Sequence, residues 1–295
     1  MKIEWKGIRC ILCLEQVPLT IEHIIPSSIG GALTCDFLCA PCNSTLGAKV
    51  DSALRNDPTI RLSADHIRRD VPALAIELDE RQPFVVHGGD EPGRAFQKRG
   101  ELFLQSRKAA DGSLIQSSEE ARRTLQTMLE RSGTPRQLIA EALASFDNLP
   151  PNQKREIYPG LEVVTWETTR IERDLSRAKL ANPIVAAKIA YEFIACHLGD
   201  GIYMDCEPLN AVRSALKSHD PSESGLVIER LHAKAFQPFH GLCHEVGAPH
   251  TTILIRLFGF LAFRVQFESI PVLTTKFIYT HDLAKKREEV RMHAE

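Results

Sequence analysis

The sequence lacks a marked excess of charge of either sign. Its 36 lysine and arginine residues nearly balance 38 aspartate and glutamate residues, which gives a formal net charge of -2 at pH 7. A strongly basic chain attracts nucleic acid through its overall field, and this chain offers no such field. Any contact with phosphate groups must therefore come from a local site.

Long hydrophobic segments are also lacking. The most apolar stretch, residues 252–267, is interrupted by Arg256, Gly259 and Arg264, so it is too short and too charged to cross a bilayer. The first ten residues contain no apolar core of a signal peptide. With 25% charged and 43% hydrophobic residues, the 295-residue chain has the composition of a soluble globular protein. We expect a cytoplasmic protein without membrane contact.

The eight cysteines show no disulfide framework, which indicates a reducing compartment. Four of them are scattered along the chain: Cys35, Cys196, Cys206 and Cys243. The other four form two Cys-x-x-Cys pairs: Cys10 with Cys13, and Cys39 with Cys42. Paired knuckles of this kind predict one tetrahedral structural zinc site. Cys35 could join the zinc site or be a buried thiol, and we favour the buried thiol.

Between and beside the knuckles lie residues suited to a second, catalytic metal. Glu22 and His23 are adjacent, and Asn43 directly follows the last knuckle cysteine. Carboxylate and amide oxygens are ligands that Mg²⁺ prefers, and such an ion needs only one or two of them. A histidine beside them can take a proton from an attacking water. These residue types predict hydrolysis of a phosphodiester with Mg²⁺ or Mn²⁺.

The N-terminal pattern predicts a strand, a loop, a second strand and a helix. The apolar run 17–21 suits a strand that ends at Glu22 and His23, residues 27–31 form a loop with paired glycines, and residues 33–38 suit another strand. Residues 43–55 show helical spacing of their apolar positions. The sequence Asn56-Asp57-Pro58 ends that helix, because proline disfavours the helical conformation in the residue before it.

The remainder of the chain predicts an α+β protein with three domains, 1–57, 58–151 and 152–295. Residues 58–110 read as short strands and turns, with a long-looped hairpin between 83–86 and 101–104. Helices are expected at 117–131 and onward to 146, at 184–198 with Gly199 as the stop, and at 208–216. A strand is expected at 161–166 and a hairpin at 252–267, turning at Phe258-Gly259. Residues 285–291 suit the end of a solvated helix.

Two further groups invite comparison with the first site. The first group lies in a turn-like stretch and consists of His240, Cys243, His244 and His250. These residue types can bind a metal, but ordinary polar loop residues are the simpler interpretation. The other is a basic patch that could follow a nucleic-acid backbone or form a solvated loop: Arg94, Lys98, Arg99, Arg107 and Lys108.

The strings CILC, EHIIPSSIGG and LCAPCNSTLG, followed by Asp51, resemble the HNH endonuclease family, in particular its zinc-knuckled ββα-metal branch. The resemblance covers about the first 55 residues. It implies that His23 is the general base, that Glu22 and Asn43 hold the catalytic metal, and that Gly30 and Gly31 form the turn. It also implies that the structural zinc has four ligands: Cys10, Cys13, Cys39 and Cys42.

Two positions depart from the family pattern. An asparagine usually braces the loop that carries the base, and Asp36 is the nearest candidate for that role here. Gly47, one turn after Asn43, offers no second ligand, so we expect a single metal ion. The intact pair at 22–23 favours an enzyme acting on nucleic acid, most simply DNA. The missing asparagine favours a non-catalytic zinc module that binds nucleic acid or a protein, and the large C-terminal region could hold a protein partner or a second copy of the chain.

Overall fold

The computed structural model describes residues 1–79, 83–87, 93–98, 101–108, 114–116, 118–148, 170–173, 180, 182–246, 249–268, 270 and 275–294. These residues form two compact units. The first unit combines Met1–Leu78 with Arg177–Glu295, and the second comprises Asp79–Ser176. The three-domain division at residues 57 and 151 stays a prediction.

The first unit begins with a small sheet that has the predicted strand, loop and strand. Its strands are β1 (Lys2–Ile3), β2 (Leu19–His23) and β3 (Thr34–Cys39), in the order β1-β3-β2. Strands β2 and β3 are antiparallel, with Glu22 opposite Cys35 and a register shift between Thr20 and Ile21. A short 3-10 turn, Ser27–Ile29, follows His23. This connection places Glu22 and His23 at the strand end, as predicted.

One helical stretch follows β3, and the predicted helix is confirmed. It consists of α1 (Ala40–Leu46), a π-helical turn (Gly47–Asp51) and α2 (Ser52–Arg55). Leu46, Val50 and Leu54 are buried along one face, as their spacing predicts. The π-helical turn is of a kind often found at functional sites, and here it contains Asp51.

Among the described residues, the C-terminal part of the first unit has a six-stranded antiparallel sheet and two helices. The helices are α7 (Ile184–Met204) and α8 (Leu209–Ser218). The strands are β10 (Leu226–His232), β11 (Phe239–Glu245), β12 (Thr251–Leu257), β13 (Leu261–Phe267), β14 (Thr275–Asp282) and β15 (Arg287–Ala294), in the order β10-β13-β12-β11-β14-β15. Helix α7 contacts β12, β13 and the π-helical turn. It therefore joins the sheet to the N-terminal segment.

The N-terminal segment and α7 share one hydrophobic core, which includes Phe37 and Val50 from the segment and Ile189 and Phe193 from the helix. The shared core stabilises the N-terminal segment, because so short a strand-helix segment has little apolar area of its own to bury. The expected α+β architecture, with a larger sheet-rich region after the N-terminal segment, is confirmed. No helix among the described residues is both long and apolar enough to span a membrane.

The described residues of the second unit include two helices and small sheets. Helices α5 (Ser118–Arg131) and α6 (Arg136–Asn148) bury a compact apolar cluster around Leu125, Leu143 and Phe146. A four-stranded sheet has the order β6-β5-β4-β9, from β4 (Pro83–His87), β5 (Gly93–Lys98), β6 (Glu101–Leu104) and β9 (Arg170–Arg173). Strands β7 (Arg107–Lys108) and β8 (Leu114–Ile115) pair separately.

The prediction of strands and turns for residues 58–110 is wrong at its start. Residues 58–79 contain two helices, α3 (Pro58–His66) and α4 (Pro72–Asp79). Asp57 caps α3, since its side chain accepts a hydrogen bond from the Thr59 N–H at 2.7 Å, and proline is well suited to the first helical turn. The same Asp57-Pro58 pair thus ends one helix and starts another. The predicted hairpin is also wrong, because β5 is inserted between its two strands.

Two other predictions fail at element ends. Helix α7 continues past Gly199 to Met204, because the fully buried Tyr203 packs there and donates its hydroxyl hydrogen to the Tyr191 carbonyl at 2.7 Å. Residues 285–291 do not end a helix: β14 and β15 form a hairpin that turns at 283–286. The predicted hairpin at 252–267 is confirmed, with Phe258 and Gly259 at positive φ. The expected strand at 161–166 lies outside the described residues.

Gly31 is a position where only glycine fits. A Cβ atom there would lie 1.8 Å from the Ile25 carbonyl oxygen. We predict that Gly31→Ala lowers the free energy of unfolding by at least about 2 kcal/mol, because backbone cannot yield as a side chain can. Gly47→Ala is the matched control, since among the described atoms nothing lies within 4 Å of its Cβ position. Urea denaturation measures both, and equal stabilities for the two variants would contradict the assigned loop geometry.

Candidate active site and zinc site

The four knuckle cysteines come together as predicted. Their sulfur atoms lie within 4.8 Å of one another, and the Cys13 and Cys39 sulfurs are 3.9 Å apart. A tetrahedral zinc with Zn–S bonds of about 2.3 Å separates its sulfurs by about 3.8 Å, so the arrangement matches a zinc site. All four are free thiols, and Cys35 lies outside the group.

The protonation tendencies of these thiols differ with their surroundings. Burial would raise the pKa of Cys10, but hydrogen bonds from the backbone of Cys13, Cys39 and Leu12 hold that pKa below its ordinary value. Burial, together with the neighbouring thiols, raises the pKa of Cys42 far above its ordinary value. Four crowded thiolates repel one another unless a cation neutralises them. The donor set therefore suits a divalent, thiophilic ion.

Helices α7 and α8 support the first knuckle. The Tyr191 hydroxyl donates to the Ile11 carbonyl, and the Arg213 Nε donates to the same oxygen at 3.1 Å. Burial raises the pKa of Tyr191 above its ordinary range. The zinc loop is thus fixed to the C-terminal part of the first unit through fully buried polar contacts.

A cleft of 330 Å³ opens beside the zinc site and collects three of the predicted catalytic residues, Glu22, His23 and Asn43. The strand end, the loop after it and the helical stretch all contribute to its wall. The remaining lining residues are Ile21, Pro26, Ser27, Ser28, Gly47, Asp51, Ser52 and Arg55. Arg55 is the cation among these lining residues, and its Nε has no hydrogen-bond partner in the part of the chain that the structure describes.

Asn43 is oriented by strand β2. Its side-chain nitrogen donates to the Ile21 carbonyl at 2.9 Å and to the Thr20 hydroxyl oxygen at 3.1 Å. These bonds use the nitrogen and leave the amide oxygen as the atom able to coordinate a metal. Asn43 also lies in the first turn of α1, next to Cys42, so the zinc site and the cleft are positioned by the same helix.

Glu22 is only 5% exposed and forms an ion pair with Lys188 of α7. Burial raises the pKa of Glu22 above its ordinary value, although the adjacent ammonium opposes this effect. Burial would lower the pKa of Lys188, but Glu192, Asp51 and Glu22 together raise it well above its ordinary range. The three carboxylates therefore favour the charged form of Lys188 behind the cleft.

Asp51 adds a further oxygen donor. Its Oδ2 accepts from Lys188 at 3.0 Å, and its buried Oδ1 has no hydrogen-bond partner among the described residues. A buried, unpaired carboxylate oxygen costs free energy unless a cation or donor reaches it. Together with Glu22 and the Asn43 oxygen, this atom gives the hard oxygen set that Mg²⁺ or Mn²⁺ prefers. The residues present fit the implied metal.

Asp36 is the predicted loop brace. Asp36 forms an ion pair with Lys2 at 2.7 Å and is not among the residues lining the cleft, so its role as a brace stays a prediction. The loop is held through backbone hydrogen bonds, including the Ile24 N–H to the Leu33 carbonyl at 3.0 Å and the Gly31 N–H to the Pro26 carbonyl at 3.1 Å.

The histidine group around 240–250 is not the polar loop that we predicted. His240 and His244 lie in the central strand β11 and are fully buried. The His240 Nε2 hydrogen-bonds the Ile29 carbonyl at 2.8 Å, and its Nδ1 accepts from the Phe258 N–H at 3.2 Å. Burial lowers the pKa of His240 to about 4, so it is a neutral structural residue.

The predicted basic patch is described only in part. Arg94 is exposed, while Arg99 lies outside the described residues.

Sequence reasoning missed Lys188 and Glu192 and named Asp51 only as part of a motif. A lysine and a glutamate four residues apart in a helix are ordinary on a solvated face. The available signal was that Lys188 follows Ala186 and Ala187 and precedes Ile189 and Ala190, an apolar setting in which a charged residue requires partners.

Comparisons with known proteins agree with the motif. Residues 10–59 match the family model described as HNH endonuclease. Neither the curated proteins nor the solved structures contain a significant match to the chain. The match spans both zinc knuckles, the pair at 22–23, Asn43 and Asp51, which are the residues that the structure gathers around the zinc site and the cleft. The N-terminal part of this chain is therefore a domain of the HNH endonuclease family, which suggests a nuclease that acts on nucleic acid.

Proposed function

We propose that the chain is a metal-dependent endonuclease that hydrolyses DNA phosphodiester bonds in the cleft beside its zinc site. The observation that carries this proposal is the shared cleft: His23 lies there with three oxygen donors, from Glu22, Asn43 and Asp51. The sequence motifs only lead us to expect these residues near one another, and the structure has all four in the lining of one cleft.

His23 acts as the general base. Its side chain is half-buried at the end of β2, and its backbone carbonyl accepts a hydrogen bond from Lys188 at 3.2 Å, which restrains the residue that carries the imidazole. The imidazole takes a proton from the attacking water. Arg55 also lines the cleft, and its guanidinium can donate to a phosphate oxygen. A divalent metal bound to the oxygen donors would stabilise charge on the phosphate and the leaving oxygen.

The second candidate is a zinc module that binds nucleic acid or a protein without cleaving it. One observation favours it: an oxygen of Glu22 is already paired with Lys188, at 2.5 Å. A carboxylate paired in this way has one oxygen fewer for a metal. The unpaired Oδ1 of Asp51 argues for the enzyme, because Asp51 lines the cleft and a bound cation would satisfy this oxygen.

The proposal extends to the setting of the protein. Free zinc-binding thiols require a reducing compartment, so we place the protein in the cytoplasm. A nuclease domain fused to a larger region of different fold suits restriction or defence against phage, with the larger region contacting the substrate, a protein partner or a second copy of the chain.

Cleavage and binding assays on three labelled substrates test the proposal. Zinc-loaded protein is incubated with double-stranded DNA, single-stranded DNA and RNA of one sequence, with and without Mg²⁺ or Mn²⁺. We expect metal-dependent cleavage of DNA with 5′-phosphate ends. Cleavage of RNA alone would contradict the DNA assignment. Binding of all three without cleavage, on substrates that include long plasmid DNA, would instead establish the zinc module.

A further inference from the structure

Lys188 is the most unusual polar residue in the first unit. Its side chain is completely buried, and its Nζ lies 2.5 Å from Glu22 Oε1, 3.0 Å from Asp51 Oδ2 and 3.4 Å from Glu192 Oε2. It also donates to the His23 carbonyl at 3.2 Å. One ammonium group thus joins both acidic residues of the cleft to the backbone of the proposed base.

Lys188 contacts only one oxygen of each cleft carboxylate. Lys188 takes one oxygen of Glu22 and one oxygen of Asp51, and the other oxygen of Asp51 has no hydrogen-bond partner among the described residues. In two-metal nucleases, two cations about 3.5–4 Å apart share bridging carboxylates. Here a protein cation bridges two carboxylates beside a candidate metal position, and Gly47 supplies no further ligand.

A structural role alone explains this arrangement poorly. A buried ion pair is often no more stabilising than apolar side chains of the same volume, and most of α7 around Lys188 is apolar. Helix α7 instead has a lysine at the position where its side chain contacts the cleft carboxylates. The helix that carries it comes from outside residues 10–59, the segment that matches the family.

We propose that Lys188 is a built-in cation of the catalytic metal site: it occupies the position of a second metal ion, positions Glu22 and Asp51, and restricts the site to one weakly held divalent ion. This inference rests on the proposed function, because it assumes that these carboxylates hold the metal. Lys188 is a positioning residue rather than a catalytic one, since the carboxylates separate it from the substrate.

The proposal predicts that loss of the Lys188 charge strengthens the binding of a divalent metal. A positive charge that shares carboxylates with a dication weakens binding of that dication by direct repulsion. Loss of an orienting outer contact lowers metal affinity by roughly 10- to 100-fold. Because Lys188 is fully buried and its charge is little screened by solvent, we expect the relief of repulsion to exceed that loss. We expect cleavage to move in the opposite direction, because Glu22 and Asp51 lose the ammonium group that positions them in the cleft with His23.

The test measures Mn²⁺ binding to full-length, zinc-loaded protein by titration calorimetry, together with the Mn²⁺-induced shift in melting temperature. The variant is Lys188→Met, and Lys217→Met is the control, since Lys217 is an exposed lysine on α8 and its loss changes the net charge equally. We expect Lys188→Met to bind Mn²⁺ at least about tenfold more tightly than the wild type and to cleave DNA at least about tenfold more slowly. The control should match the wild type in both measurements.

Unchanged or weaker Mn²⁺ binding by Lys188→Met would overturn the proposal. Should that variant fail to fold, the double variant Lys188→Met/Glu192→Gln removes one of the stranded carboxylates, and the same expectation applies to it. Binding is measured without substrate, so a wild-type protein that binds Mn²⁺ but cleaves nothing would defeat the proposed function alone, and the two affinities would still decide this inference. Absence of Mn²⁺ binding in the wild type and in both variants would overturn the inference.

Discussion

Cys39→Ser protein is expected to lose its zinc and to unfold in its N-terminal segment. Cys39 is 6% exposed and lies between strand β3, which pairs with the strand that bears Glu22 and His23, and helix α1, which bears Asn43. Structural zinc contributes about 10–16 kcal/mol to the folding of small zinc modules, whereas whole domains are stable by about 5–15 kcal/mol. The shared core with α7 cannot offset such a loss.

Zinc content by atomic absorption and unfolding by circular dichroism measure this effect. Cys243→Ser is the matched control, because Cys243 is a half-buried cysteine in β11 and lies outside the four-sulfur group. We expect the control to bind one zinc per chain and to unfold near the wild-type temperature. A Cys39→Ser protein that retains a full complement of zinc and the wild-type melting temperature would contradict the assignment of the site.

His23→Ala is expected to reduce the rate of DNA cleavage by about 100- to 10,000-fold, the usual contribution of a general base. The substitution removes the imidazole but leaves the backbone carbonyl that Lys188 contacts. It also leaves the oxygen donors of the cleft in place, so Mn²⁺ affinity should change by less than about threefold. Loss of rate with retained metal binding separates a base from a metal ligand.

Single-turnover cleavage of a labelled DNA duplex measures the rate, with His66→Ala as the control. His66 is exposed on α3, where its ring stacks on Phe236 with centroids 4.0 Å apart, and it is not among the residues lining the cleft. Equal rates for His23→Ala and the wild type would exclude His23 as the base. A reduced rate accompanied by a matching loss of Mn²⁺ affinity would instead assign His23 to the metal.

The local part of this site could be predicted from sequence because its signals are local. Two Cys-x-x-Cys pairs, a strand end with Glu22 and His23, and a helix beginning near Asn43 lie within a short stretch of chain, and each has its own geometric rule. The structure has the four sulfurs in one group and those three side chains in one cleft. The roles of the cleft residues are still predictions that await the assays above.

The contribution of helix α7 could not be predicted because it depends on contacts across long stretches of chain. Lys188 meets Glu22 from 166 positions away, and Tyr191 meets Ile11 from 180 positions away. Helical periodicity shows that α7 has an apolar face, but not which element covers it. The apolar neighbours of Lys188 indicate a buried lysine, but they do not show which carboxylates pair with it.

Other errors arose where one local rule competed with another. Asp57-Pro58 ends one helix and caps the next. Residues 287–291 belong to strand β15 because β14 provides hydrogen bonds that no local propensity reveals. Gly199 weakens α7 in isolation, but the buried Tyr203 beyond it keeps the helix continuous.

Nicking of supercoiled plasmid by the wild-type protein, with zinc content verified, is the most direct test of the central claim that the cleft is a metal-dependent nuclease site. Protein freed of loosely bound metal by dialysis is assayed alone, with Mg²⁺ and with Mn²⁺, beside His23→Ala protein prepared in the same way. We predict nicking that requires added metal and that falls at least about 100-fold in the variant. Metal-dependent nicking at the same rate by both proteins would contradict this claim.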